Sequence, residues 1–194
     1  MYQNFTAEDL DDTNQLFVGR LPDKLIPSTE GFESLWNLHP EDFHEIMMHG
    51  KLVKTPRWQQ AFGKDYHYTR STNKALPTPD SLWPYLAWAQ QHVDARLNGI
   101  LLNWYDGSLG HYIGKHRDST KNMVGGAPIV TVSLGEERVF RLRQYRGTAA
   151  RDFMSAPGTV FIMPYDTNQT WTHEVPRHKR YQGRRISITL RAFR

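Results

Sequence analysis

Strict alternation of apolar and polar positions dominates the second half of this chain, whereas the first half mixes short apolar runs with helical stripes. Side chains that alternate in polarity lie on opposite faces of a strand. Val139-Phe140-Arg141-Leu142-Arg143 follows that rule, as does the stretch from Pro128 to Leu134, which stops at Gly135. Ile100 to Tyr105 precedes an Asp106-Gly107 turn, and Gly158 to Met163 is apolar throughout, as for a strand buried on both faces. Gln169 to Val175 and Arg184 to Ala192 complete about eight short strands separated by turn residues. That number predicts a sandwich or barrel, the jelly roll being the eight-stranded choice.

The first half reads differently. Residues 1–15 are polar and acidic and predict a poorly ordered lead-in, followed by a short strand at Leu16-Phe17-Val18. A helix begins at Pro27-Ser28-Thr29 and carries Phe32, Leu35 and Trp36 on one face. His44 to Tyr68 predicts short strands broken at Gly50 and Gly63. One long helix is expected over 81–97, capped by Asp80, with Leu82, Trp83, Leu86, Trp88, Val93 and Leu97 on its apolar side. Asn98-Gly99 ends it. The fold class is therefore α+β: a jelly-roll core over about 99–194 backed by a long helix, in one domain spanning 1–194.

Two features suggest chemistry. His116 and Asp118 are two residues apart, so an extended strand would point both to one side, and His173 supplies a third ligand from elsewhere. Two histidines and a carboxylate occupy one face of an octahedral metal and leave the other open, the pattern of non-haem Fe(II) oxygenases. With 9 histidines in 194 residues, an H-x-D also arises by chance. The final strand places Arg185, Ser187, Thr189 and Arg191 on one face and Ile186, Ile188 and Leu190 on the other. Arginines separated by hydroxyls fit either an edge strand with solvated guanidinium groups or a cavity lining that grips a molecule with two carboxylates.

Charge and composition narrow the partners. The 194 residues carry a net charge of +4, with 15 Lys/Arg against 7 Asp/Glu from residue 98 onward. Such a half suits a polyanion such as nucleic acid or simply a basic surface. Aromatics between Trp58 and Tyr68 suit either base stacking or an ordinary sheet. The absence of cysteine excludes disulfides and thiolate metal sites. No apolar run approaches the ~18 residues of a membrane span and no signal pattern opens the chain, so a cytoplasmic protein, or a nuclear one in a eukaryote, is expected.

Asn103-Trp104-Tyr105, His116-Arg117-Asp118, Pro128 to Gly135, Phe140, His173 and Arg185 to Arg191 follow one another in an order that resembles the AlkB family of Fe(II)/2-oxoglutarate dioxygenases. Pro56-Arg57, Phe62-Gly63 and Tyr66-x-Tyr68 resemble that family's nucleotide-recognition region, here about 45–80. The resemblance implies a double-stranded β-helix in which His116, Asp118 and His173 bind Fe(II), with O2 as cosubstrate. Arg185 and Arg191 would hold the carboxylates of 2-oxoglutarate, with Asn103, Tyr105, Ser187 and Thr189 beside them. Arg57, Tyr66, Tyr68, Arg117 and Thr120 would contact the substrate. The implied activity is oxidative removal of N-methyl groups from DNA or RNA bases by a monomer with no membrane partner, releasing formaldehyde, succinate and CO2. Relatives carry an acidic residue where this chain has Thr120, which motivates an alternative: the same oxidation of a protein side chain, a modified RNA or a small metabolite. A catalytically silent binding module on the same scaffold is disfavoured by the intact metal set and both arginines.

Overall fold

Gly99–Asp106 and Arg184–Arg191 pair along their whole length within a seven-stranded sheet, the largest of the four sheets among the described residues. The computed structural model describes residues 2–48, 50–68 and 71–194, without the side chains of Met48 and Tyr68. In chain order the strands are β1 (Phe5–Asp9), β2 (Gln15–Arg20), β3 (Glu45–Met48), β4 (Lys51–Lys54), β5 (Trp58–Phe62), β6 (Tyr66–Tyr68) and β7 (Ser71–Asn73). There follow β8 (Gly99–Asp106), β9 (Ile113–His116), β10 (Ile129–Gly135), β11 (Arg138–Gln144), β12 (Ala150–Ser155), β13 (Thr159–Met163), β14 (Trp171–Val175) and β15 (Arg184–Arg191). The helices are α1 (Thr29–Trp36), α2 (Trp83–His92) and α3 (Tyr165–Thr170).

The large sheet has the order β1-β2-β13-β10-β15-β8-β5 and the smaller one β12-β11-β14-β9. They pack face to face as a jelly roll: Leu101, Ile129 and Phe161 of one meet Phe140, Leu142 and Trp171 of the other. The rings of Phe140 and Phe161 stack with centroids 4.5 Å apart. The opposite face of the large sheet carries the helices. There Ile186, Ile188 and Leu190, all at 0% exposure, pack with Leu35 and Trp36 of α1 and Tyr85, Leu86 and Ala89 of α2. Each such aliphatic side chain contributes about 1.5–3 kcal/mol of burial free energy. The polar face of β15 is thereby directed between the sheets, so the alternation read in the sequence places four polar residues inside the molecule. Gly135 ends β10 at a φ of 82°. A Cβ there would stand 2.3 Å from the Arg184 carbonyl, so glycine is what lets β10 close on β15 beside Arg185.

Three expectations are corrected. Residues 5–15 are no lead-in: β1 pairs with β2 at the edge of the large sheet. Asp11 ties the turn between them to the other sheet, accepting from the Thr13 and Asn14 backbone N–H groups and from Trp171 Nε1. Its acidic composition therefore reports a hydrogen-bonded turn. The long helix covers only Trp83–His92; its N-cap is Leu82, without a side-chain cap, and Asp80 lies outside it. Val93 leaves helical geometry, Asp94 pairs with Arg96, and Trp83 is 50% exposed. Finally, α3 interrupts the stretch before His173, and its six residues are too few to show a helical period. The helix from Ser28 forms as expected, with the Ser28 hydroxyl accepting from the Gly31 N–H.

Candidate active site

The polar face of β15 lines a space between the two sheets. Asn103 and Tyr105 from β8, Thr131 from β10, Phe140 from β11 and His173 from β14 complete a chamber with Arg185, Ser187, Thr189 and Arg191.

His116 and His173 meet as cross-strand partners of β9 and β14, their ring centroids 4.3 Å apart. Strand pairing thus aims both rings the same way. Asp118 is not on the strand, since β9 ends at His116. Its carboxylate is placed instead by Asn168 of α3, which accepts from the Asp118 N–H (2.9 Å) and donates to the Asp118 carbonyl (3.0 Å). One ligand atom from each of His116, Asp118 and His173 lies within 4.8 Å of the others. The His116 Nδ1–H donates to the Gly114 carbonyl (2.9 Å), which leaves the Nε2 lone pair for a metal.

Electrostatics favour the ligating forms. Burial lowers the pKa of His116, and burial together with the neighbouring His116 takes that of His173 down to about 3. Both rings are neutral near pH 7. Burial alone would raise the Asp118 carboxyl, but Arg191 and the two histidines outweigh it and hold the group down at about 2. Arg191 Nη2 stands 2.7 Å from Asp118 Oδ2, and the Tyr66 hydroxyl donates to Oδ1 at 3.3 Å.

Deeper in the chamber Arg185 is 1% exposed. Its Nη2 donates to Ser133 Oγ at 2.7 Å, while its Nε and Nη1 are buried without a partner. Buried guanidinium N–H groups seldom go unmatched, and burial lowers this one to about 10. A carboxylate is the complementary group for those donors, which is the fit expected of the 5-carboxylate end of 2-oxoglutarate.

A second cleft, of about 810 Å³, shares Arg57, Tyr66, Ile113, His116 and Asp118 with the chamber and is walled by Tyr112, Lys115, Arg117, Ser119, Thr120 and Asn168. Arg57, expected to contact substrate, is 5% exposed and is held by Asn103 Oδ1 (2.8 Å) and Gln59 Oε1 (2.9 Å). Arg117 lines the same cleft with its guanidinium 3.9 Å over the Tyr145 ring, donating to the Gln169 carbonyl. Thr120 is at the wall, and Tyr66 reaches both spaces. The Tyr68 side chain lies outside the described residues. Asn168 and Ser133 were not legible in the sequence, because each acts through a partner 50 or more residues away.

The 2OG-Fe(II) oxygenase superfamily matches residues 32–191. The chain is 30% identical over 158 residues to the human DNA oxidative demethylase ALKBH2, covering 75% of this chain and 60% of that protein. Against mouse ALKBH2 it is 30% identical over 159 residues, covering 76% and 66%. It spans about 60% of the length of the human protein and two thirds of the mouse one. Its fold is similar to that of OsALKBH1, with a TM-score of 0.61 at 15% identity over 96% of this chain and 99% of that one. The chain belongs to the 2OG-Fe(II) oxygenase superfamily, with Fe(II), 2-oxoglutarate and O2 as its cofactor and cosubstrates.

Proposed function

We propose that this oxygenase removes N-alkyl groups from nucleic-acid bases, with DNA or RNA as its partner. The observation that carries the proposal is the cleft of about 810 Å³ that runs directly onto His116 and Asp118 while the cosubstrate chamber lies behind them. Two spaces sharing one metal face suit a reaction in which cosubstrate and substrate are held on different sides. The likeness to proteins named DNA oxidative demethylases supports the substrate class.

Fe(II) with 2-oxoglutarate and O2 supplies oxidative decarboxylation to succinate and CO2 coupled to hydroxylation of a C–H bond; a hydroxylated N-methyl group then leaves as formaldehyde. This chain's residues prepare that chemistry. His116, Asp118 and His173 would hold the metal, Asn168 fixing the carboxylate and Gly114 the first imidazole. Arg185 would receive one end of 2-oxoglutarate, with Asn103, Tyr105, Ser187 and Thr189 around it. Arg191, ion-paired with Asp118, would steady the other end and the metal carboxylate together. Arg57 orients Asn103 by donating its Nε–H to the amide oxygen, so it would join the cosubstrate wall to the substrate cleft. Tyr66, Arg117 and Thr120 would border the substrate, as would Tyr68, with 45–80 as the recognition segment of a single domain. A base in a duplex must be extruded to enter such a cleft, at a cost of a few kcal/mol. The protein would act as a monomer wherever nucleic acid is held, in the cytoplasm or, in a eukaryotic cell, the nucleus.

The test is formaldehyde release from oligonucleotides carrying single N-methylated bases, measured with Fe(II) and 2-oxoglutarate. Succinate formation that is indifferent to every methylated oligonucleotide would refute the proposal.

A further inference from the structure

We infer that the cleft selects alkylated bases that are electrically neutral and carry ring carbonyls, the class of 1-methylguanine and 3-methylthymine, over cationic bases such as 1-methyladenine and 3-methylcytosine. The inference rests on the dealkylating function proposed above and deepens it.

The first support is the set of charges around the cleft. Among the described residues that line it, Asp118 is the only carboxylate. That group is already engaged by Arg191 at 2.7 Å and by the Tyr66 hydroxyl, and it belongs to the metal set. Against it stand Arg57, Lys115 and Arg117. Arg57 matters most, because it is 5% exposed and its two hydrogen-bond partners, Asn103 and Gln59, are neutral amides. Among the described residues no carboxylate is hydrogen-bonded to or ion-paired with it. With metal and cosubstrate bound, two positive and two negative charges are added together, so the guanidinium of Arg57 remains uncompensated. A cationic base pressed into this cleft would meet a like charge that, at 5% exposure, is only weakly screened by water.

The second support is the balance of donors and acceptors. Nε and one Nη2 hydrogen of Arg57 are used, which leaves its Nη1 amino group to donate. Lys115, Ser119 and Thr120 add further donors at the wall. Two of the amide oxygens nearby are occupied: Asn168 Oδ1 receives the Asp118 N–H, and the Gln169 backbone carbonyl receives Arg117. A wall of donors matches the O6 of a methylguanine or the two carbonyls of a methylthymine. The amino groups of a cationic methyladenine or methylcytosine would find donors facing them and no free carboxylate.

Four oligonucleotides of one sequence, each with one of these lesions, test this with the full chain. Formaldehyde release gives kcat/KM, and fluorescence anisotropy with metal-free protein gives binding without turnover. Neutral lesions are expected to exceed cationic ones by at least about tenfold in both readouts. Thr120→Asp adds a carboxylate to the wall and is expected to shift the ratio about tenfold toward the cationic pair, with iron affinity measured alongside. Cationic lesions bound and processed as well as neutral ones by the unaltered protein would overturn the inference alone. No lesion-dependent binding and no formaldehyde from any of the four would overturn the dealkylating function together with it.

Discussion

Replacing Arg185 by methionine separates binding from folding at one position. The guanidinium is 1% exposed, donates to Ser133, and keeps its Nε and Nη1 nitrogens buried without a hydrogen-bond partner. In the cosubstrate-free protein this is a desolvated cation with little to offset it. Exchanging such an ion for an apolar side chain of similar volume is commonly neutral or stabilising by about 1–4 kcal/mol. The melting temperature of Arg185→Met is therefore expected to hold or to rise, by about 2–16 °C at roughly 2–4 °C per kcal/mol for a chain of this size. Cosubstrate affinity moves the other way. Removing one partner of a buried charge-assisted pair costs about 2–5 kcal/mol, or roughly 30- to 4,000-fold in Kd for 2-oxoglutarate. Iron affinity is expected to change little, because Arg185 is not among the three ligand residues. Calorimetric titration of 2-oxoglutarate into the Fe(II) protein without oxygen, a chelator competition for iron and a thermal melt measure the three quantities. A variant that melts well below the parent while binding 2-oxoglutarate unchanged would refute the assignment.

Three further outcomes are expected. Asn168→Ala removes both hydrogen bonds that hold the Asp118 backbone, so stability is expected to fall by about 1–3 kcal/mol in urea titration and iron affinity by about 10- to 100-fold in chelator competition. His173→Ala is expected to abolish iron-dependent 2-oxoglutarate turnover while circular dichroism stays that of the parent, and retained turnover would remove His173 from the metal set. His44, His111, His116 and His173 all have pKa values lowered by burial from 6.5, so below 6.5 the unfolded chain takes up more protons than the folded one. Metal-free protein is therefore expected to hold its stability above about pH 6.5 and lose it from there to about pH 4.5, before the lowered carboxylates titrate; a urea midpoint that stays constant or rises on acidification contradicts this.

The parts of the site that were legible in the sequence are those written in local periodicity. The two faces of β15 follow from alternation alone, because a strand turns each successive side chain through the sheet whatever surrounds it. What that alternation left open was whether Arg185 and Arg191 face water or a cavity. The second sheet and the helices on the opposite face decided it, burying both sides of one strand. The His116–Asp118 spacing named residues that the fold does bring together with His173, but on an incomplete geometric ground. Asp118 lies past the end of β9, and a buried amide 50 residues later keeps its carboxylate in place.

By itself the sequence determined the α+β class, most of the strands, the metal-ligand residue types and the polar face of the last strand. Each depends on residues near one another along the chain. The tertiary structure alone decided that His116 and His173 face each other across β9 and β14, that Asp11 fastens the first hairpin to Trp171, and that Arg57, held by Asn103 and Gln59, lines both the inner chamber and the outer cleft. The physical reason is range. Backbone periodicity acts over a few residues, whereas desolvation, cross-strand pairing and the charge balance of a cleft depend on which distant segments the folded core brings together.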